Sequence, residues 1–586
     1  MNIPFQIDMA ERRTQISLAF AGGVAVVVLW EVIRKWRIHR GVAKKIKWKQ
    51  EQCKAAFDTV EQDLRKAQVP AEKIAKILDL SFTELQQQLQ DGTLKAVDVL
   101  HAYQSCAFEA NERVNAITEP LLDAEAIAEA LDKQTSEKKP LHGIPISLKE
   151  SFYISGLDCT AGLGHFLQNP KTYDAVLVQV LKGLGAVPFV RTNIPQTMMI
   201  YECSNPIYGQ TNNPYDLSRV PGGSTGGEGA LLGSKASIIG FGSDIGGSIR
   251  VPCHFCGCYG LKTTLERLSR KGHISLSKGQ TLVSGTVGPM TRDFEGLVFA
   301  TKAILNDHHF QLDPAVPPIK FQEEIYRSKR PLTIGFYTYD GYIQSVPACE
   351  RAVMMAKKAL EAMGHTVIDF VPPRVTYMVP YLYVRSVQGD GGRIFTSQTE
   401  KDIEDPSMKK LLFPSKLPKW MLWVLSWVTQ AITKDKVLAD AIKARIPVKS
   451  VYEWFQHAIR VQDYKDEFLN AWKGKNLDAV ICPPFAMTAV PNGKVTEVLG
   501  CGGYCWLYNV VNYPAGVLPV TRVTSDDVTN LDKYPSTTTM EKLVKKYSLG
   551  SAGLPVGVQC AALPFQEELV LRVMGDIEAG LKMLKK

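Results

Sequence analysis

Short apolar runs alternate with amphipathic stretches over most of the chain. Residues 174–184 place apolar side chains at helical spacing and stop at Gly185, and 186–190 (AVPFV) then reads as a strand. Residues 332–337, 349–363 and 365–370 repeat strand, helix, strand, and apolar runs at 477–482, 516–520 and 554–560 supply further strands. Such alternation predicts an α/β protein with a large mixed or parallel sheet covered by helices on both faces. No internal repeat interrupts it. Upstream, 47–68 and 71–80 read as amphipathic helices, and Ser81 with Glu84 forms a capping-box signature opening another. Residues 141–150 (LHGIPISLKE) form a short apolar strand that delivers Lys149 at its end.

Two segments depart from this globular pattern. Residues 14–30 (TQISLAFAGGVAVVVLW) are uncharged throughout and would span ~26 Å as a helix, near the lower limit for a bilayer core. A cleaved signal peptide would end on small residues, whereas Trp-Glu-Val-Ile-Arg follows here, so a transmembrane helix over 14–33 is expected. The second segment, 411–432 (LLFPSKLPKWMLWVLSWVTQAI), puts Trp420, Trp423 and Trp427 on one helical face, with lysines before and after. Pro414 and Pro418 leave its continuous run too short to span, which favours a helix lying in the membrane interface over a core helix.

Composition narrows the function. With 586 residues, 45% hydrophobic and 22% charged, the chain is long enough for a large core. Much of its formal charge of +9 lies in residues 34–49, which hold eight Lys or Arg and no acid. The remainder is nearly neutral, which excludes a nucleic-acid partner. The basic run, with Trp30 and Trp36 as interfacial anchors, places the C-terminal side in the cytosol. Twelve cysteines show no framework spacing, as in a reduced fold. Cys253, Cys256 and Cys258 offer half a zinc site, with only a loose second pair at Cys501 and Cys505, so buried thiols are expected and no metal. Residues 314–318 fit PxxP but read as a linker.

The chemistry concentrates in residues 219–252 (RVPGGSTGGEGALLGSKASIIGFGSDIGGSIRVP), ten of which are Gly. Ser224 sits in the first glycine cluster and Ser248 ends the second. Backbone N–H groups of Ile245, Gly246, Gly247 and Ser248 are placed to converge on a developing oxyanion. Asp244 and Arg250 flank the second cluster as a buried supporting pair.

Three blocks in order, Gly143-Ile-Pro-Ile-Ser-Leu-Lys149-Glu150, Gly-Gly-Ser224-Thr-Gly-Gly-Glu and Asp244-Ile-Gly-Gly-Ser248-Ile-Arg-Val-Pro, resemble the amidase signature family, from about residue 96 to the C-terminus. The resemblance implies an α/β/α sandwich with a mixed central sheet, no cofactor and a Ser-Ser-Lys triad. Carried over, Ser248 is the nucleophile, Ser224 a bridging serine beside a cis peptide, and Lys149 the base. It also implies that Met198 lies against the substrate, that Met199 replaces a usual aromatic, and that Thr225 replaces a commoner serine with little effect. Residues 411–432 become a hydrophobic cap through which lipids reach the site. The expected division is a tail at 1–13, a transmembrane helix at 14–33, a basic juxtamembrane and helical segment at 34–95, and a catalytic domain at 96–586.

With the membrane segments, these implications give a membrane-bound serine hydrolase. Its expected reaction is cleavage of fatty-acid amides, such as oleamide and N-acylethanolamines, to free acid plus amine. A homodimer on endoplasmic-reticulum-type membranes, catalytic domain in the cytosol, is implied by the resemblance. To act as base, Lys149 must lie about 4 to 5 kcal/mol from its ordinary protonation equilibrium to be half neutral at pH 7, which burial can supply. Two other readings stand beside this one. Residues 222–226 satisfy G-x-S-x-G, which would make Ser224 the nucleophile of an α/β-hydrolase lipase or esterase with His365 or His457 as base. The other is a membrane-tethered scaffold without catalysis.

Overall fold

The computed structural model describes residues 5–585. Its centre is an eleven-stranded sheet. In chain order the strands are β1 (Ile117–Pro120), β2 (Pro145–Lys149), β3 (Val187–Thr192), the short hairpin β4 (Ser204–Asn205) and β5 (Gly209–Gln210), β6 (Ile239–Asp244) and β7 (Tyr259–Lys262). Then come β8 (Thr286–Thr291), β9 (Thr333–Phe336), β10 (Thr366–Asp369), β11 (Ala479–Cys482), β12 (Ala515–Arg522) and β13 (Pro555–Ala562). The main sheet runs β1-β3-β2-β6-β8-β7-β12-β13-β11-β9-β10, with β4 and β5 pairing apart from it. Strands β3, β2 and β6 are parallel, as are β11, β9 and β10, and antiparallel pairs join the two groups. The sheet is therefore mixed, as expected.

Every residue of β2, β3, β6, β8, β11 and β13 is buried. A strand buried at consecutive positions is covered on both faces, which requires a helical layer on each side. The apolar core divides accordingly. One large cluster joins β2, β3 and β6 to the helix Ala96–Val114. The other gathers β9, β11, β12 and β13 with the helices Pro347–Ala362 and Glu567–Leu584.

Most predicted elements form within a few residues of their expected ends, including the Ser81 capping box, closed from both sides. The N-terminal part differs: the backbone from Phe5 to Ala67 is one helix of 63 residues, which begins inside the expected tail and passes through the expected boundaries at 13 and 33. Its C-terminal half docks on the body. Val42 and Ile46 pack with Leu167 and Ile207, and Lys49 makes a buried ion pair with Glu119 at 2.6 Å. Among the described residues no helix is long and apolar enough to cross a membrane. The expected span at 14–33 lies in this helix, and many of its side chains fall outside the described residues. The segment 411–432 carries its three tryptophans on one helix, Lys419–Thr433. Pro414 and Pro418 divide the segment into the end of Pro406–Leu412, a tight turn at Phe413–Lys416, and that helix.

Candidate active site

Strand β2 ends at Lys149, and its parallel neighbour β6 ends at Asp244, so both bring polar side chains to one edge of the core. Lys149 is fully buried. Its Nζ lies 2.7 Å from Ser224 Oγ, 3.0 Å from Thr225 Oγ1 and 2.9 Å from Ser243 Oγ. No carboxylate among the described residues makes an ion pair with it. Burial brings its pKa down to about 7 against the opposing pull of Cys203, Asp244, Glu228 and Glu150.

The neighbouring acids explain why burial prevails. Burial lifts the Glu228 carboxyl to about 8, so at neutral pH it is mostly protonated, hydrogen-bonded by Ser147 and Thr192. Burial alone would also lift Asp244, but the Arg250 guanidinium holds it well below the usual carboxylate range through bonds of 2.8 and 3.0 Å. Glu150 turns away from Lys149 to Thr160, with Arg191 beside it at 3.7 Å. Each negative charge within reach is thus neutralised elsewhere. A neutral amine among three hydroxyls can donate two hydrogen bonds and accept one, so it can take a proton from Ser224.

Ser224 follows a cis peptide from Gly223. Ser248 and Ser224 line the same cavity of about 400 Å³, and the Thr225 N–H donates to the Ser248 carbonyl at 3.1 Å. No hydrogen bond joins the two serine hydroxyls in this structure. Asp244 shapes the expected oxyanion loop by accepting from the N–H groups of Gly247 at 2.8 Å and Ile249 at 3.1 Å. Gly247 is therefore corrected as a free donor, because its N–H is already engaged by this carboxylate. Ile245, Gly246 and Ser248 N–H have no partner among the described residues. Tyr201 Oη donates to the Gly246 carbonyl at 2.5 Å, Tyr383 Oη to that of Ile245 at 3.3 Å, and Trp506 Nε1 to Tyr201 Oη at 2.7 Å. A side chain at Gly246 would strike the Tyr383 hydroxyl, so this position requires glycine.

The family model for amidase matches residues 98–571. The chain belongs to the amidase family. Fatty-acid amide hydrolase 1 of Sus scrofa is 39% identical over 573 residues, spanning 96% of this chain and 97% of that protein. Fatty acid amide hydrolase 1 of Caenorhabditis elegans is 38% identical over 536 residues, spanning 89% and 93%. A solved structure of a fatty acid amide hydrolase superposes with a TM-score of 0.76 at 26% identity, covering 92% of this chain and 95% of that one. The protein is an amide-hydrolysing enzyme with the family's α/β fold.

In this amidase a second cavity of about 350 Å³, mostly apolar, meets the first at Met198, Met199, Ile245 and Ser248. Thr197 and Met198 hold positive φ, 64° and 61°, an outlier for a β-branched residue. The three tryptophans of the helix Lys419–Thr433 point outward, with Trp420 67%, Trp423 59% and Trp427 63% exposed, while Leu422 and Ser426 face inward. Neither histidine required by the lipase reading approaches Ser224. His365 bridges Asp576 and the Leu332 N–H, and His457 bonds Ser386. Cys253, Cys256 and Cys258 are buried free thiols, and among the described residues no cluster suited to a metal forms.

Besides Tyr201, Tyr383 and Trp506, two groups near Lys149 escaped the sequence reading. Ser243 is the third hydroxyl on Lys149, and nothing but its place before Asp244 marks it. His273 lines the larger cavity with Nε2 unpartnered. Burial brings its pKa down to about 3, so it is uncharged. It comes from a loop with no motif.

Proposed function

We propose that this amidase is a membrane-bound serine hydrolase of fatty-acid amides, primary amides and N-acylethanolamines alike, working through Ser248, Ser224 and Lys149. Ser248 Oγ attacks the amide carbonyl while its proton passes through the Ser224 hydroxyl to the neutral Lys149 amine. The oxyanion rests against the unspent N–H groups of Ile245, Gly246 and Ser248. Lys149 then returns the proton through Ser224 to the leaving nitrogen, the C–N bond breaks, and water hydrolyses the acyl-Ser248 ester. Early protonation matters because an amine anion is a poor leaving group.

The observation that carries this reading is a lysine with no counter-charge, buried among three hydroxyls, beside an apolar cavity that reaches Ser248. The membrane part is supported by the apolar run at 14–30, by exposed Val26, Leu29 and Trp30 on the N-terminal helix, and by the outward tryptophan face. The same reading holds for a homodimer on endoplasmic-reticulum-type membranes with the body in the cytosol, which protease protection and cross-linking would test.

The decisive experiment compares turnover of oleamide, N-oleoylethanolamine and a short-chain amide in detergent, with Ser248→Ala as control and fluorophosphonate labelling mapped to peptides. The expected result is preference for the long chains, loss of turnover in the variant, and adduct on Ser248. Preference for the short amide refutes the lipid assignment, and adduct on Ser224 refutes the triad.

A further inference from the structure

The apolar cavity that reaches Ser248 has two charged side chains in its wall, Glu497 and Arg445. Glu497 is engaged by Lys494 at 3.3 Å and by the Tyr547 hydroxyl. Arg445 is not matched in this way. It follows the helix Lys436–Lys443, and its side chain makes one hydrogen bond, from Nη1 to the Leu411 carbonyl at 3.1 Å. A guanidinium carries five N–H donors in a planar fork suited to a carboxylate. Four of these five have no partner among the described residues, and no acid lies within ion-pair distance. Burial depresses its pKa with no acid nearby to oppose the effect.

A second group in the same wall is also unmatched. Gln388 Oε1 is buried without a partner. The two segments are held side by side, because the Val448 N–H donates to the Gly389 carbonyl at 2.9 Å and Pro447 packs on Gly391. Oxygen and nitrogen of a glutamine amide exchange by a half-turn, so Gln388 can present an N–H to an anion as readily as a carbonyl. A cation with no counter-charge and most of its donors free, and an amide with an unpartnered buried oxygen, both on an apolar tube, match the chemistry of an anion carrying an alkyl chain.

We propose that Arg445 and Gln388 form a carboxylate subsite for a long-chain free fatty acid, separate from the reacting centre and on the same cavity. The inference rests on the fatty-amide reading, in which that acid is the product released from Ser248. A fatty acid held head-first at Arg445 lays its tail along the apolar wall where a substrate chain would lie. The product therefore competes with substrate, and the subsite makes turnover respond to the free-acid level.

The test is equilibrium dialysis of radiolabelled oleate and, in parallel, oleyl alcohol against the purified full chain in detergent at pH 8. Wild type is compared with Arg445→Met, Arg445→Lys and Gln388→Leu. Oleate affinity is expected to fall at least tenfold in Arg445→Met and less in Gln388→Leu, with Arg445→Lys retaining most of it. Oleyl alcohol, which has the same chain and no charge, is expected to bind all four proteins alike and so reports that the cavity is intact. Parallel losses for both ligands, or no loss of oleate in either Arg445→Met or Gln388→Leu, overturn the proposal. Binding is read without turnover, so a protein that binds oleate through Arg445 but cleaves no long-chain amide refutes the functional reading and leaves the subsite standing.

Discussion

Replacing Lys149 by methionine separates the lysine's chemical role from its structural cost. The lysine's descent from its ordinary value near 10.5 to about 7 corresponds to roughly 5 kcal/mol at about 1.4 kcal/mol per pH unit. That cost is borne by the folded state alone. Methionine has a similar length and no charge, but leaves the hydroxyls of Ser224, Thr225 and Ser243 to find one another or cavity water, at about 1–3 kcal/mol. At pH 7 the variant should therefore be more stable than wild type by a few kcal/mol while losing about 10²–10⁴-fold in turnover. Between pH 7 and 10.5 an unfolded chain keeps the proton on this lysine and the folded chain does not. Wild-type stability contributed by this group thus rises with pH across that window, by up to about 1.4 kcal/mol per unit, and the variant's advantage shrinks at the same slope. Urea midpoints of both proteins at pH 7, 8 and 9 measure this. Wild-type kcat/KM should climb about tenfold per unit up to about pH 7 and then level. A stability difference that ignores pH from 7 to 9, together with a pH–rate profile flat from 6 to 10 under rate-limiting chemistry, would refute a neutral lysine base.

Other perturbations probe the groups around it. Thr225→Val removes one of the three hydroxyls at Lys149 and the bond to the Ser243 carbonyl, and should lower kcat about tenfold with little change in KM, whereas Thr225→Ser should stay within about twofold. Asp244→Asn leaves Arg250 buried without its counter-charge and loosens the Gly247 and Ile249 N–H groups; a loss of about 3–5 kcal/mol in urea unfolding is expected. Changing Trp420, Trp423 and Trp427 together to serine should abolish flotation of a chain lacking residues 1–33 with anionic vesicles, while cleavage of a water-soluble amide persists. Flotation unchanged in that variant would remove the cap from the membrane interface.

Legibility from sequence tracked how local each feature is. Strand β2 and its terminal Lys149 could be read because a short stretch with Ile146 and Leu148 alternating on either side of Ser147 needs no partner to declare itself. Strand β6 could not, since Gly240 and Gly242 make it look like loop. Both glycines are there for close packing: side chains at these positions would strike the Glu228 carboxyl and the Thr225 side chain. The continuity of the N-terminal helix was hidden for another reason: the apolar run at 14–30, the basic run at 34–49 and the amphipathic stretch at 47–68 differ in character and read as separate segments, although one helix carries all three. Ser243 and His273 carry no motif, and their importance arises only when β6 and a distant loop meet at Lys149.

The identity of the proposed base and its charge therefore have different origins. The lysine itself stands in a short run that any reader of the chain meets. Its neutrality depends on side chains from 150 to 250, brought together by three parallel strands: Glu228 kept protonated by burial, Asp244 held by Arg250, Glu150 turned toward Thr160 and Arg191. Had any one of these carboxylates faced the amine without its own counter-charge, it would have stabilised the ammonium through Coulomb attraction in a low-dielectric interior and held the lysine protonated. The supporting pairs thus act on the chemistry by withholding negative charge from Lys149, and a substitution that frees one of these carboxylates should raise the pH at which activity appears, together with the stability loss that breaking a buried pair brings.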